Sequence, residues 1–290
     1  MRRFLVLENG LVGALHLPEG KGPHPLVLAI GGFRSGFSDG RDERIASAGF
    51  ASLALAYFGA PGLPPSLQDI PLEYFEKAID WAAKHPLIDP GRIALWGVSR
   101  GAELSLLIGS FLPKKIRAIA ATVPSSAAYG SIETDAPAWT FRGKPALLNA
   151  PFPRHLIDLT LGKTKESPLS LTPYFLEGMK DKAAFDAARI PVEKIECPLF
   201  LVSGEDDRMW PSAVFAEDIL RRLKERGSSI PASHICYPGA GHAISSSDEM
   251  TELHPVAKIW FAFGGNPRDN ALAKEDSWIQ TVHFLRSWIF

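Results

Sequence analysis

Ser99 stands between two glycines in Gly97-Val98-Ser99-Arg100-Gly101, directly after the strand-like run Arg92-Ile93-Ala94-Leu95-Trp96. A serine hydroxyl becomes a nucleophile when a base takes its proton, and that base needs an acid to orient it. Both types follow along the chain. Gly204-Glu205-Asp206-Asp207 ends a late apolar run, and Tyr237-Pro238-Gly239-Ala240-Gly241-His242 ends the next one. The chemistry open to such a set is acyl transfer: attack on a carbonyl carbon, a covalent acyl-enzyme, then release of the acyl group to an acceptor.

A G-x-S-x-G pattern arises by chance in about one chain in ten of this length, so its setting carries the weight. Here a strand precedes it and a helical pattern follows at once, as a nucleophile elbow requires. The turn is too tight for bulk two residues before or after the serine, hence Gly97 and Gly101. The serine is expected in a strained backbone state at a helix N-terminus, where the dipole favours developing negative charge.

An acid at the C-terminal end of a late strand faces the crevice where open α/β sheets bind ligands. Asp207 is the choice for that role. Asp206 reads as a turn or helix-capping residue ahead of Pro211, and Glu205 as solvated. Of eight histidines, His242 alone sits on a Gly-rich loop after the last strand. His234 falls at or before the start of that strand, at the wrong end of the sheet. His16, His24, His85, His155, His254 and His283 read as surface or packing residues. No His, Cys and carboxylate cluster has metal-ligand spacing, so neither a metal nor another cofactor is expected.

An oxyanion hole needs two backbone N–H groups. Arg100, after the serine, supplies one. The other is assigned to Phe33, with Gly32 as the alternative, in the loop Gly31-Gly32-Phe33-Arg34-Ser35-Gly36.

The elements that must position these residues alternate between short apolar runs and amphipathic helices, the pattern of a parallel sheet with crossover helices. Residues 4–7 and 11–17, broken by Asn9-Gly10, read as a hairpin. Strands follow at 25–30, 50–57, 92–97, 118–123, 199–203 and 233–237. Several lack polar alternation, as strands covered on both faces do. Leu72, Phe75, Ile79 and Ala82 mark one helix, with Asp69 and Pro71 before it and Pro86 as its stop. Phe215, Ile219, Leu220 and Leu223 mark another, closed by Gly227. Residues 101–111 read as a buried helix and 271–290 as a terminal one packing on the sheet. The stretch 131–190 is rich in proline and only patchily periodic, the signature of either a cap or an irregular crossover.

The 290 residues are 46% hydrophobic and 22% charged, with 31 basic against 32 acidic side chains. Those fractions exclude disorder and disulfide scaffolds, and a net charge of −1 gives no pull toward nucleic acid or anionic lipid. No run reaches the roughly 18 apolar residues of a membrane helix. The start, Met1-Arg2-Arg3-Phe4, is like a signal peptide, but Glu8 and Asn9 cut it short, so cytoplasm is the expectation. Cys197 and Cys236 read as buried free thiols, in keeping with a reducing compartment. One α/β domain over 1–290 is expected, with the cap or insertion at about 131–190; oligomeric state is not legible.

With these residues in place, the sequence resembles the acyl-CoA thioesterase and bile acid-CoA:amino acid N-acyltransferase family over nearly its whole length. The likeness is carried by Leu72-Glu73-Tyr74-Phe75-Glu76-Lys77-Ala78 with His85-Pro86, and by Gly101-Ala102-Glu103-Leu104 with Gly109-Ser110. It continues in Ile190-Pro191-Val192-Glu193-Lys194-Ile195, in Gly204-Glu205-Asp206-Asp207 with Trp210, and in Gly264-Gly265-Asn266-Pro267 before Asp276-Ser277-Trp278. The resemblance implies an α/β-hydrolase fold, with Ser99 as nucleophile, Asp207 as acid and His242 as base. It also implies acyl transfer from a coenzyme A thioester. In the family, cysteine at the nucleophile position goes with transfer to an amine and serine with transfer to water. Ser99 therefore favours hydrolysis.

Members commonly carry an N-terminal β-sandwich domain, whereas this chain is expected to start at the hairpin that opens the catalytic domain. Dienelactone-hydrolase-like carboxylesterases share the triad order on a single domain and form the alternative. An acyltransferase would need an acceptor pocket that no motif marks, and a non-catalytic binding protein would have lost a triad member. The substrate is expected to be a small-molecule acyl thioester or ester, its apolar acyl pocket lined partly from 131–190. Arg34, Arg41 and Arg100 lie near the motif loops and could meet a CoA phosphate, although surface salt bridges are the weightier reading.

Overall fold

Asn9 and Gly10 both take positive φ, 55° and 74°, and Leu11 N donates to Glu8 O at 2.9 Å. Two such residues make a turn whose twist matches the flanking strands. In the computed structural model it joins β1 (Arg2–Val6) to β2 (Val12–Leu17), which pair antiparallel. The structure describes residues 1–290 except 34, 35, 38, 132, 133, 153–158, 160, 162, 246–252, 257 and 258.

After the hairpin come β3 (His24–Ile30), α1 (Asp39–Ser47), β4 (Ala51–Ala56), β5 (Ile70–Pro71), α2 (Leu72–Lys84) and β6 (Ile88–Val98). Next are α3 (Arg100–Phe111), β7 (Ala118–Thr122), β8 (Trp139–Phe141) and β9 (Lys144–Pro145). Two short helices follow, α4 (Thr172–Gly178) and α5 (Lys182–Ala188), then β10 (Leu199–Gly204), α6 (Ser212–Glu225) and β11 (Ala232–Tyr237). The chain closes with β12 (Leu253–Val256), β13 (Ile259–Ala262) and α7 (Pro267–Ile289).

Among the described residues, eight strands form the main sheet in the order β1-β2-β4-β3-β6-β7-β10-β11. From β4 to β11 all neighbours are parallel; β1 and β2 add an antiparallel edge. Strand side chains alternate faces, and here both faces are apolar. Leu26, Leu28, Ile93, Leu95 and Ile119 pack under α2, α3 and α6 in one core. Their neighbours Val27, Ala29, Ala94, Trp96 and Ala120 pack with Ile45 of α1 and Leu285 and Ile289 of α7 in another. Burial on both sides explains the unbroken apolar runs. Helix α3, at the sheet's centre, is buried over 100–110.

The expected strands and helices are all present, and α7 begins at Pro267, four residues before the expected start. Asn266 caps it, its side chain accepting from Asp269 N at 3.0 Å, and proline suits the first helical position. Within 131–190 the described residues hold β8 and β9, which join β5 in a small separate sheet, and the seven-residue helices α4 and α5. Among the described residues no helix is long and apolar enough to cross a membrane.

Two expectations need correction. Cys197 is buried, but Cys236 is exposed, because β11 is the outer strand of the sheet and its side chains are only partly covered. His234 lies inside β11 rather than before it, opposite Leu201, and bonds Ser203 Oγ at 2.7 Å. His16 and His24 are packing residues as expected, and His283 is exposed. His155 and the side chain of His254 lie outside the described residues.

Candidate active site

The ends of four parallel strands meet at one edge of the sheet. Ser99 follows β6 directly and precedes α3, with φ 57° and ψ −122°. A non-glycine residue in this region is strained, and the surroundings hold it there. Ser99 N donates to Thr122 O at 3.0 Å, tying the turn to the end of β7. A Cβ at Gly97 would collide with Gly101 O and Ser105 Oγ, and one at Gly101 with the carbonyls of Ile30 and Gly31. Both glycines are therefore imposed by close backbone approach, as the motif predicts.

His242 lies after β11 on a loop pinned by two successive amides. Its N–H donates to Phe263 O at 2.7 Å, and Gly241 N donates to Asn270 Oδ1 at 2.8 Å. The imidazole bonds Ser99 Oγ through Nε2 at 2.9 Å and Asp207 Oδ2 through Nδ1 at 2.8 Å. The second Asp207 oxygen accepts from Met209 N at 3.0 Å and Trp210 N at 3.3 Å. Trp210 and Phe263 stand edge-on to the imidazole, with centroids at 5.7 and 5.8 Å. All three residues of the hydrogen-bonded chain are buried, so little water competes for these bonds. An imidazole so held can accept the serine proton and later return it to a leaving group.

Asp206 turns away from His242. Its carboxylate accepts from Gly265 N at 2.9 Å and Arg208 Nε at 3.0 Å, which makes it a turn residue. It does not cap α6, whose N-cap is Pro211. Glu205 is exposed, with Gly239 N at 3.3 Å.

The loop after β3 runs beside the serine. A Cβ on Gly32 would lie 3.3 Å from Ser99 Cβ and 3.7 Å from its Oγ, and Phe33, the next residue, is half-buried. Arg100 opens α3, a position whose N–H has no intrahelical acceptor. The two expected donors, Phe33 and Arg100, thus belong to the loop after β3 and to the start of α3.

The Arg100 side chain is not free to meet a phosphate. It is buried, with Nη1 on Glu103 Oε2 at 2.9 Å and Nη2 on the Tyr129 and Gly130 carbonyls at 2.8 and 3.2 Å. Burial raises the Glu103 carboxyl, opposed by Arg100 and by donation from Trp139 Nε1 at 2.6 Å. This is an internal ion pair rather than a surface one. Arg41 lies with its guanidinium 6.0 Å from the Trp96 ring, and Arg34 is outside the described residues.

Leu169 and Leu171, from the 131–190 stretch, pack with Phe261 and Phe263, and half-buried Phe175 and Met209 join them. An apolar wall from that stretch therefore adjoins the imidazole. Among the described residues no group of His, Cys, Asp and Glu could hold a metal ion.

Sequence reasoning passed over Tyr57. It follows β4, is buried, and its hydroxyl shares its one proton between Gly31 O at 2.9 Å and Gly32 O at 2.7 Å. Burial pushes the phenol well above its ordinary value, so it stays a donor. A tyrosine ending an apolar strand was the available signal.

Residues 70–289 match the family described as BAAT / Acyl-CoA thioester hydrolase C terminal. The chain is 33% identical over 288 residues to acyl-coenzyme A thioesterase 2, mitochondrial, of Mus musculus, covering 98% of this chain and 60% of that protein. It is 30% identical over 289 residues to acyl-coenzyme A amino acid N-acyltransferase 1 of the same species, covering 99% and 65%. The chain thus spans about 60–65% of the length of these curated relatives. A crystal structure of an alpha/beta hydrolase from Penicillium sp. sh18 superposes with a TM-score of 0.59 at 16% identity, covering 100% of this chain and 99% of that one. The fold is the α/β-hydrolase fold, and the chain belongs to the BAAT / acyl-CoA thioester hydrolase C-terminal family.

Proposed function

We propose that this chain is a serine hydrolase that cleaves acyl thioesters, acyl-CoA foremost, through an acyl-enzyme on Ser99. The reading is carried by one observation, the unbroken bonding of Ser99 Oγ to His242 and of His242 to Asp207. Ser99 Oγ attacks the thioester carbonyl while His242 Nε2 takes its proton. Asp207 fixes the tautomer and stabilises the imidazolium that forms. The oxyanion is received by the N–H groups of Phe33 and Arg100. Collapse breaks the carbon–sulfur bond, and His242 returns its proton to the departing thiolate. His242 then deprotonates a water that attacks the acyl-enzyme, releasing the carboxylic acid and restoring Ser99.

The names of the relatives support the thioester as substrate: one is a thioesterase, the other an N-acyltransferase on an acyl-CoA. Serine at position 99 favours water over an amine as acceptor. The wall of Leu169, Leu171, Phe175 and Phe263 supports an apolar acyl site, with 131–190 as a cap on a single catalytic domain. Cytoplasm is the proposed compartment, although one relative is mitochondrial by name; cell fractionation decides it.

The test is a kinetic panel of acyl-CoAs and p-nitrophenyl esters of equal acyl length. Acyl-CoAs are expected to give the higher kcat/KM, because remote binding energy from the CoA portion lowers the barrier only when fixed groups hold it. Ester turnover with no acyl-CoA activity would make the chain a carboxylesterase. Glycine and taurine in the same assay are expected to yield no amide.

A further inference from the structure

We propose that Tyr57 is a positioning residue for the reaction: its phenol holds the Gly31–Gly32 and Gly32–Phe33 peptides so that the Phe33 N–H is aimed at the developing oxyanion. This rests on the reading of Ser99 as the nucleophile.

In a planar trans peptide the C=O and the N–H point in opposite directions. The Tyr57 hydroxyl shares its one proton between Gly31 O and Gly32 O in a three-centre bond. Fixing the first carbonyl fixes the Gly32 N–H, and fixing the second fixes the Phe33 N–H. Both N–H groups therefore point away from the phenol. Two successive glycines have the widest choice of backbone states, so this loop needs an outside hold. The missing Cβ of Gly32 faces Ser99 at 3.3 Å, so a small rotation of this peptide alters what the serine's carbonyl adduct would meet.

The phenol is itself rigidly placed. Its ring meets Phe58, Phe75 and Trp139 with centroids at 5.1, 5.6 and 5.9 Å. Gly36 N donates to Phe58 O at 3.2 Å, anchoring the far end of the same loop. Trp139 also donates to Glu103, which pairs with Arg100. The segments bearing both oxyanion donors are thus braced by one buried cluster: Tyr57 holds the first, and the Glu103–Arg100 pair holds the second. That shared support is what a fixed two-donor geometry requires.

The test is Tyr57→Phe, which keeps the ring and removes only the hydroxyl. Thermal unfolding sets the assay temperature, well below the variant's midpoint, so that folded protein is compared with folded protein. Misplacing donors costs less than deleting one, so kcat is expected to fall about 10–100-fold with KM nearly unchanged. Two ligands separate aiming from general damage. An alkylboronic acid adds to Ser99 Oγ as a tetrahedral anion and needs the oxyanion donors; an S-alkyl-CoA thioether resembles the ground state and does not. Tyr57→Phe is expected to weaken the boronate by the same factor as kcat/KM and to leave the thioether unchanged. Unchanged kcat, or equal weakening of both ligands, would overturn the proposal. Ser99→Ala is run alongside: turnover retained there would sink the nucleophile assignment itself, whereas turnover lost there but kept in Tyr57→Phe sinks only the role of Tyr57.

Discussion

Asp207 offers its two carboxylate oxygens to different partners: Oδ2 to His242 Nδ1 and Oδ1 to the Met209 and Trp210 amides. One residue thereby fixes the imidazole to the loop after β10. Its neighbour Asp206, with the same side chain, is turned to Gly265 and Arg208.

The first prediction uses that contrast. Ser99→Ala should lower kcat by about 10³–10⁶-fold, and Asp207→Asn by about 10⁴-fold through the wrong tautomer. Asp206→Asn should stay within about tenfold of wild type, since it meets no reacting group. Steady-state thioester hydrolysis by the three variants checks this. A larger loss in Asp206→Asn than in Asp207→Asn would reverse the assignment.

A second prediction concerns two glycines. Gly101→Ala drives a methyl into the Ile30 and Gly31 carbonyls, backbone atoms that cannot step aside. Overpacking of this kind should cost about 3 kcal/mol or more, read from urea unfolding. Gly40→Ala, in α1 with nothing within 4 Å of the new methyl, should instead stabilise by about 0.5–1 kcal/mol.

The third is a pH dependence. Glu193 receives Arg222 Nε and Nη2 at 2.6 and 2.9 Å, and these bonds hold its carboxyl below the ordinary 4.5. A folded-state value below the unfolded one adds stability that is complete above 4.5 and is lost as pH falls through the folded value. Glu193→Gln should cost about 1 kcal/mol at neutral pH. The variant's melting temperature should fall less than that of wild type between pH 6 and acid. Parallel melting curves over that range would refute the assignment.

The fourth concerns the two thiols. Burial pushes Cys197 up to about 12, whereas Cys236 is exposed on the outer strand. Iodoacetamide should add once to the native protein, at Cys236, and twice after denaturation. Peptide mass spectrometry distinguishes the sites.

The strands and the bonded trio were legible because each has a local cause. A doubly covered strand must be apolar throughout, and an elbow must have glycine where backbones touch. Asp207 was separable from Asp206 only by its place relative to the strand end. What escaped reading depends on contacts between distant segments. Tyr57 looked like one more apolar strand residue, since its hydroxyl finds partners 25 and 26 positions away. Arg100 looked like a surface cation, but in the folded chain it meets Glu103 and the Tyr129 and Gly130 carbonyls, with Trp139 on the same carboxylate. Cys236 was misjudged because edge and centre strands share the same local pattern. Asn266-Pro267 did carry a helix-start signal, ahead of the start expected at 271.

Ser99 and His242 are 143 positions apart, and each waits at the end of a separate strand of one sheet. The bonded trio thus forms only when β10 has paired with β7 and β11 with β10. Until then the nascent or partly melted chain carries an ordinary serine hydroxyl, which is a poor nucleophile. Return of turnover after dilution from denaturant is accordingly expected only once these long-range pairings have formed.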